Sequence, residues 1–249
     1  MRNTTGLRRT FARVSIALAA AGLTFGAVGC SEGIGGVVSM GVQDSSGMTR
    51  AEASGLSAEE RFDLYGVRYE RARELMTEAQ LQLSPGPWKW LTGGVGGPWG
   101  GPHAAYPFPG SDSRNTYYID LTRTIHPEGA VGAREDAEPM VAYFESKGWD
   151  AELIDIESQT GLGPHRFEAS AVTDDGFNVV YQVQDNGQYN LSVMSGLFWA
   201  DQPELSSDIR HRIPRDSFFP PGEESVPGVY VEFPKWDSPK LWGQSVEAR

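Results

Sequence analysis

The 249 residues carry 33 Asp and Glu against 21 Lys and Arg, a formal charge of −12. That balance excludes the basic surface on which nucleic-acid binding depends. A single cysteine leaves no internal disulfide to support the core, and the length suits one domain with substantial ends.

Met1 to Arg13 holds Arg2, Arg8, Arg9 and Arg13 and no acidic residue, and an apolar, small-residue run follows from Val14 to Val28. A basic start, an apolar stretch of about 15 residues and a small-residue cleavage site predict an export signal over residues 1–29. The run is short of the roughly 20 apolar residues that span a bilayer. Ala27-Val28-Gly29-Cys30 resembles the lipobox of bacterial lipoproteins, with Ala27 where Leu is more frequent. The resemblance implies cleavage between Gly29 and Cys30 and diacylglycerol on the Cys30 sulfur. It also implies further acylation, with chains such as palmitate, and recognition by lipoprotein-processing enzymes. Two or more chains hold firmly where one binds marginally. A plain signal followed by a buried Cys30 is the alternative, and an unpartnered thiol outside the cytoplasm weighs against it. Leu7 to Arg13 also resembles the twin-arginine export motif, without the Ser or Thr before the pair and with Ala12 where Leu is common. General and twin-arginine export both remain open. Removal of the leader leaves a formal charge of about −16, which disfavours close contact with anionic lipid except through the anchor.

Residues 30–56 carry the lipidated cysteine and a Gly- and Ser-rich stretch that reads as a flexible linker. An α+β domain is expected over residues 57–199. Ser57 and Glu60 form a capping box for a helix from about Ser57 to Leu83. Phe62, Tyr65, Tyr69, Ala72, Met76, Ala79 and Leu83 make its apolar stripe, read as core rather than as a ligand groove. Pro85-Gly86-Pro87 ends it. Trp88 to Pro109 then interleaves glycine pairs with Trp88, Trp90, Trp99, Tyr106 and Phe108. These five aromatics are candidate contacts for a sugar or lipid; the competing reading is an irregular loop pinned by buried rings. Gly101 is followed by Pro102-His103, so the region lacks the Lys and Ser or Thr of a phosphate-binding loop.

Asn115 to Ile125 alternates as a strand with one buried face, through Tyr117, Ile119, Leu121 and Ile125. A second helix is expected from about Ala133 to Lys147, regular from Asp136 as its cap, with Ala137, Met140, Val141 and Phe144 inward. Gly148 suits its C-terminal cap. Apolar runs at 151–156, 166–173, 177–183 and 189–193 follow, with hairpin turns at Asp174-Asp175-Gly176 and Asp185-Asn186-Gly187. The expected fold is an antiparallel sheet of four to five strands with two helices on one face. Residues 200–249 read as an irregular Pro-rich tail, in which Val229 to Phe233 could form a short edge strand.

In its lipobox, in Phe144 with Gly148-Trp149 and in the two hairpins, the chain resembles the small uncharacterised lipoproteins of actinobacteria, the LppA-like group. The likeness covers roughly residues 57–195 and implies no catalytic residues. The four histidines, His103, His126, His165 and His211, share no metal-ligand spacing, and no Gly-x-Ser-x-Gly elbow is present. No catalytic residue, metal or cofactor is therefore expected. The sequence points to a non-enzymatic interaction module, lipid-anchored on the extracytoplasmic face of the cell membrane, that binds an envelope protein or lipid. A lipid or glycolipid carrier with an apolar cavity is the alternative, and a cell-wall hydrolase the third reading.

Overall fold

A computed structural model describes residues 41–92, 107–157, 164–214 and 222–241. The fold is α+β. Helix α1 spans Arg50–Gly55 and α2 spans Ala58–Leu83; β1 is Trp88–Thr92, β2 Thr116–Tyr117 and β3 Asp120–Ile125. Helix α3 is Glu138–Ser146, followed by β4 Ala151–Ile156, β5 Arg166–Val172, β6 Phe177–Gln184, β7 Tyr189–Ser195 and β8 Phe198–Trp199. Helix α4, Gln202–Arg212, and β9, Glu224–Ser225, complete the order.

The main sheet has seven strands rather than four or five, in the order β4-β5-β6-β7-β3-β1-β9, and all neighbours are antiparallel. The hairpins at 174–176 and 186–187 join β5 to β6 and β6 to β7, with Gly176 and Gly187 at φ of +81° and +80°. Register aligns Ala171, Val179, Val193 and Leu121 across four strands. These residues belong to the buried cluster that also takes in α2 and α3. The opposite face carries a polar row through Glu168, Gln182, Asn190 and Thr124. Period-two alternation thus separates an apolar face from a polar one.

Helix α2 forms as its sequence predicts. The Ser57 hydroxyl accepts from the Glu60 amide at 3.2 Å, and the Glu60 carboxylate accepts from the Ser57 amide at 2.7 Å. Phe62, Tyr65, Tyr69, Ala72, Met76 and Ala79 are all buried. Helix α3 starts later than expected. Asp136 does not cap it: residues 134–137 form a 3₁₀ turn, Ala137 precedes the helix without a side-chain cap, and Pro139 sits in the first turn. The Asp136 carboxylate instead accepts from the Tyr189 hydroxyl. The predicted strand at 115–125 breaks in two. At Ile119 the chain leaves one pairing for another: the amide donates to the Ser195 hydroxyl, and β2 pairs with β8 in a separate ribbon.

Three stretches read as irregular are structured. Trp88 to Thr92, expected within the glycine-rich loop, is a strand between β3 and β9, with Trp88 and Trp90 inward and Lys89 and Leu91 outward. Within the presumed linker, residues 41–55 are structured. Asp44 Oδ1 accepts from the Ser46 and Met48 amides, and Thr49 with Glu52 makes a second capping box, for α1. In the tail, Asp201 caps α4 through the Glu204 amide, with Pro203 in the first turn where it is tolerated. The edge strand of the tail is Glu224–Ser225, not Val229 to Phe233. Residues 230–236 lie instead on α2: the ring of Phe62 is 4.9 Å from that of Phe233 and 5.4 Å from that of Trp236.

Candidate functional site

The stretch joining β8 to α4 runs alongside the segment that leads into β2. The Ala200 amide donates to the Asn115 carbonyl, and the Gln202 amide to the Arg114 carbonyl, both at 3.0 Å. Helix α1 is fixed beside them by the turn that precedes it. Asp44 Oδ2 accepts from the Trp199 amide at 3.0 Å, and the Trp199 indole donates to the Val42 carbonyl at 3.3 Å. Buried Arg68 of α2 clamps the same turn, donating to the Ser46 hydroxyl and to Tyr117 Oη, both at 2.7 Å, with its guanidinium 3.7 Å from the Phe198 ring centre. Gly196 is needed there, because a Cβ would come within 1.9 Å of the Ser45 hydroxyl.

Between these segments lies a cleft of about 450 Å³. Arg50, Arg61 and Arg114 line it with Asp112, Asp201 and Trp199. The charges differ in their engagements. Arg61 makes an ion pair with Glu204 of α4. Asp112 Oδ1 accepts from the Arg114 and Asn115 amides at 2.7 and 2.9 Å, and Asp201 Oδ1 accepts from the Glu204 amide at 3.1 Å. Arg50 approaches only the Trp199 ring, at 5.8 Å. Among the described residues, neither the Arg50 nor the Arg114 guanidinium has an ion pair or hydrogen bond. Among the described residues, two guanidiniums and one oxygen of each aspartate have no polar partner. The described lining contains no His, Lys or Cys; beside the arginines, its polar side chains are Ser54, Asp112, Asn115 and Asp201.

A second cleft, of about 550 Å³, borders β1, β3 and β9. Its Lys89 already faces Glu224 at 3.7 Å, which leaves it with less unsatisfied charge. Among the described residues, no group of three or more His, Cys, Asp or Glu comes together as a metal site, and no helix is long and apolar enough to cross a membrane.

The aromatic candidates divide. Trp88 is fully buried and its indole donates to the Ser84 carbonyl at 3.1 Å; Trp90 is 6 % exposed and donates to the Ser225 hydroxyl at 2.7 Å. Trp90 also lies 3.5 Å from the guanidinium of buried Arg123, whose ionisation burial pushes down to about 10. Both tryptophans are core, not ligand contacts. Phe108 packs edge-on against Trp199 at 4.6 Å and so borders the cleft indirectly. Trp99, Tyr106, Gly29 and Cys30 lie outside the described residues.

Arg50, Arg114 and Trp199 are absent from the sequence-based candidates. Two signals bear on them: the capping box at Thr49 and Glu52, which orders Arg50, and the Asx turn at Asp112, which orders Arg114.

No family model, curated protein or solved structure matches this chain.

Proposed function

We propose that the chain is a lipid-anchored, extracytoplasmic binding module without catalytic activity, which holds an anionic envelope ligand in the arginine cleft. The observation that carries the binding role is the pair of unengaged guanidiniums, Arg50 and Arg114, in a recess of about 450 Å³ on a chain of net charge −12. In an acidic protein most basic side chains find carboxylates, as Arg61, Arg71 and Arg73 do here. Two that find none among the described residues, both lining one concavity, are suited to a ligand. Anchoring rests on the Ala27 to Cys30 pattern, eleven residues ahead of Gly41.

Native mass spectrometry of the full-length protein released from membranes in gentle detergent tests both halves. The expected spectrum has acyl mass on Cys30 and an acidic adduct that disappears when Arg50→Gln and Arg114→Gln are combined. A Cys30 without acyl mass would overturn the anchor. A bare wild-type polypeptide, or an adduct indifferent to the double substitution, would overturn the cleft as the binding site.

A further inference from the structure

The cleft combines two kinds of unsatisfied group. Arg50 and Arg114 present planar forks of N–H donors, which match the oxygens of phosphate in two-point contact. Asp112 and Asp201 each have one oxygen held by backbone amides and one without a partner among the described residues. An inorganic anion would satisfy the arginines and be repelled by those oxygens. A ligand that answers both carries an anion and, set apart from it, hydrogen-bond donors. The two acceptors come from two segments, the loop before β2 and the start of α4. Hydroxyls along a polyol can supply a donor to each.

We propose that the cleft binds the phosphate ester of a polyol, with Arg50 and Arg114 on the phosphate and Asp112 and Asp201 accepting from hydroxyls. The proposal rests on the reading of this cleft as the binding site. A volume of about 450 Å³ accommodates a group of sugar-phosphate size with water. Arg61 stays with Glu204 and braces α2 against α4 at the rim.

Phosphate esters of this kind occur both free and as phospholipid headgroups. The Val42 carbonyl accepts from the indole of Trp199, which lines the cleft. Gly41 lies eleven positions after Cys30, a chain length of at most roughly 36 Å at about 3.3 Å per residue.

Calorimetric titration of the full-length protein in neutral detergent micelles tests the ligand class with glycerol phosphate, glycerol, phosphoethanolamine and glucuronate as probes. Glycerol phosphate is expected to bind saturably and more tightly than the other three. Arg50→Gln and Arg114→Gln should each weaken it by about tenfold, the effect of one lost charge-assisted contact. Arg114→Lys should recover only part of that, because an ammonium lacks the fork. Unchanged melting temperatures of the variants separate lost contacts from lost folding. In phosphatidylcholine vesicles containing phosphatidylinositol, a weakened apparent affinity for glycerol phosphate would identify the headgroup as the occupant. An affinity equal to that in phosphatidylcholine alone would identify a soluble ester. Tighter binding of phosphoethanolamine or glucuronate, lost in the arginine variants, would overturn the polyol phosphate while leaving the binding module intact. Absence of saturable binding by every probe, or binding indifferent to both arginines, would overturn the proposal at this cleft.

Discussion

Gly66→Ala measures how tightly the C-terminal segment is held. Gly66 lies in the middle of α2, where alanine is favoured over glycine by about 1 kcal/mol of intrinsic helix propensity. Yet a Cβ there would meet the Phe233 ring at 2.7 and 2.8 Å, where ordinary contact begins at 3.4 Å. The ring would have to retreat from Phe62, Tyr65 and Tyr69, whose centres lie 4.9, 5.5 and 6.0 Å away. Removing a fully buried phenylalanine costs about 3–5 kcal/mol, so half-buried Phe233 contributes roughly half of that. Displacing it outweighs the propensity gain, and Gly66→Ala is expected to destabilise by about 1 kcal/mol, or ~2–4 °C in melting temperature. In a Phe233→Ala background the obstacle is gone, and the same substitution should stabilise by up to about 1 kcal/mol. Urea denaturation of wild type, both single variants and the double gives a coupling of about 2 kcal/mol and a reversal of sign. If Gly66→Ala stabilises wild type as much as it stabilises the Phe233→Ala protein, residues 230–236 do not clamp α2.

Gly132→Ala and Gly129→Ala form a matched pair with φ of +75° and +73°. Gly129 has open space and should lose only the left-handed penalty of about 1–2 kcal/mol. At Gly132 a Cβ would lie 2.5 Å from the Gln184 backbone, so its thermal midpoint should fall by several degrees more. Thr49→Ala removes the hydroxyl cap of α1, worth about 1 kcal/mol. Hydrogen exchange should quicken over residues 50–55, and phosphate-ester affinity should drop through Arg50 with little change in global stability. Glu78 accepts from Lys147 at 2.6 Å and from the Tyr143 hydroxyl at 3.1 Å, and these bonds, Lys147 foremost, hold its carboxyl below the usual range. A lowered carboxyl contributes above the unfolded value near 4.5 and loses that contribution as pH falls through the folded one. Glu78→Gln should therefore cost a few tenths of a kcal/mol at neutral pH, the scale of an exposed pair, and nothing once both forms are protonated; denaturation at pH 7 and pH 3 compares the two.

Local order was legible where a pattern repeats within a few residues. The α2 stripe, the Gly148 cap and the two hairpins are short-range signals, and they appear where expected. What escaped depends on partners far along the chain. Trp88 to Thr92 is a strand because Arg123 and Ser225 flank it in the sheet, and nothing between residues 88 and 92 announces either neighbour. The segment from Gly41 to Gly55 carried local cues, Asp44 with Gly47 and Thr49 with Glu52, but its glycine and serine content suggested a linker. The strand at 115–125 was read for its apolar face, and Arg123 falls on that same inward face, where a charge is not expected. The cleft was illegible for a related reason. Its residues come from four separated segments, each looking like an ordinary solvated charge or turn.

Beside the arginines that pair with surface carboxylates, two further groups are separated by geometry. Arg68, Arg123 and Arg212 are all under 9 % exposed and lie 3.7, 3.5 and 4.2 Å from the rings of Phe198, Trp90 and Trp236. Each also donates to oxygen atoms of another segment: Ser46 and Tyr117, Thr92, and the Trp236 carbonyl. A buried guanidinium stacked on a ring and bonded across segments adds a polar tie between packed elements. Arg68 joins the N-terminal turn to α2, Arg123 joins β3 to β1, and Arg212 joins α4 to the tail. Removing one leaves buried acceptors without donors, a structural loss of a few kcal/mol. Arg50 and Arg114 are exposed, have no ion pair among the described residues and line one recess, so their removal leaves no such deficit. Substitution of the first three should unfold the protein without informing on ligands; substitution of both of the last two should weaken binding about a hundredfold in a molecule that still melts normally.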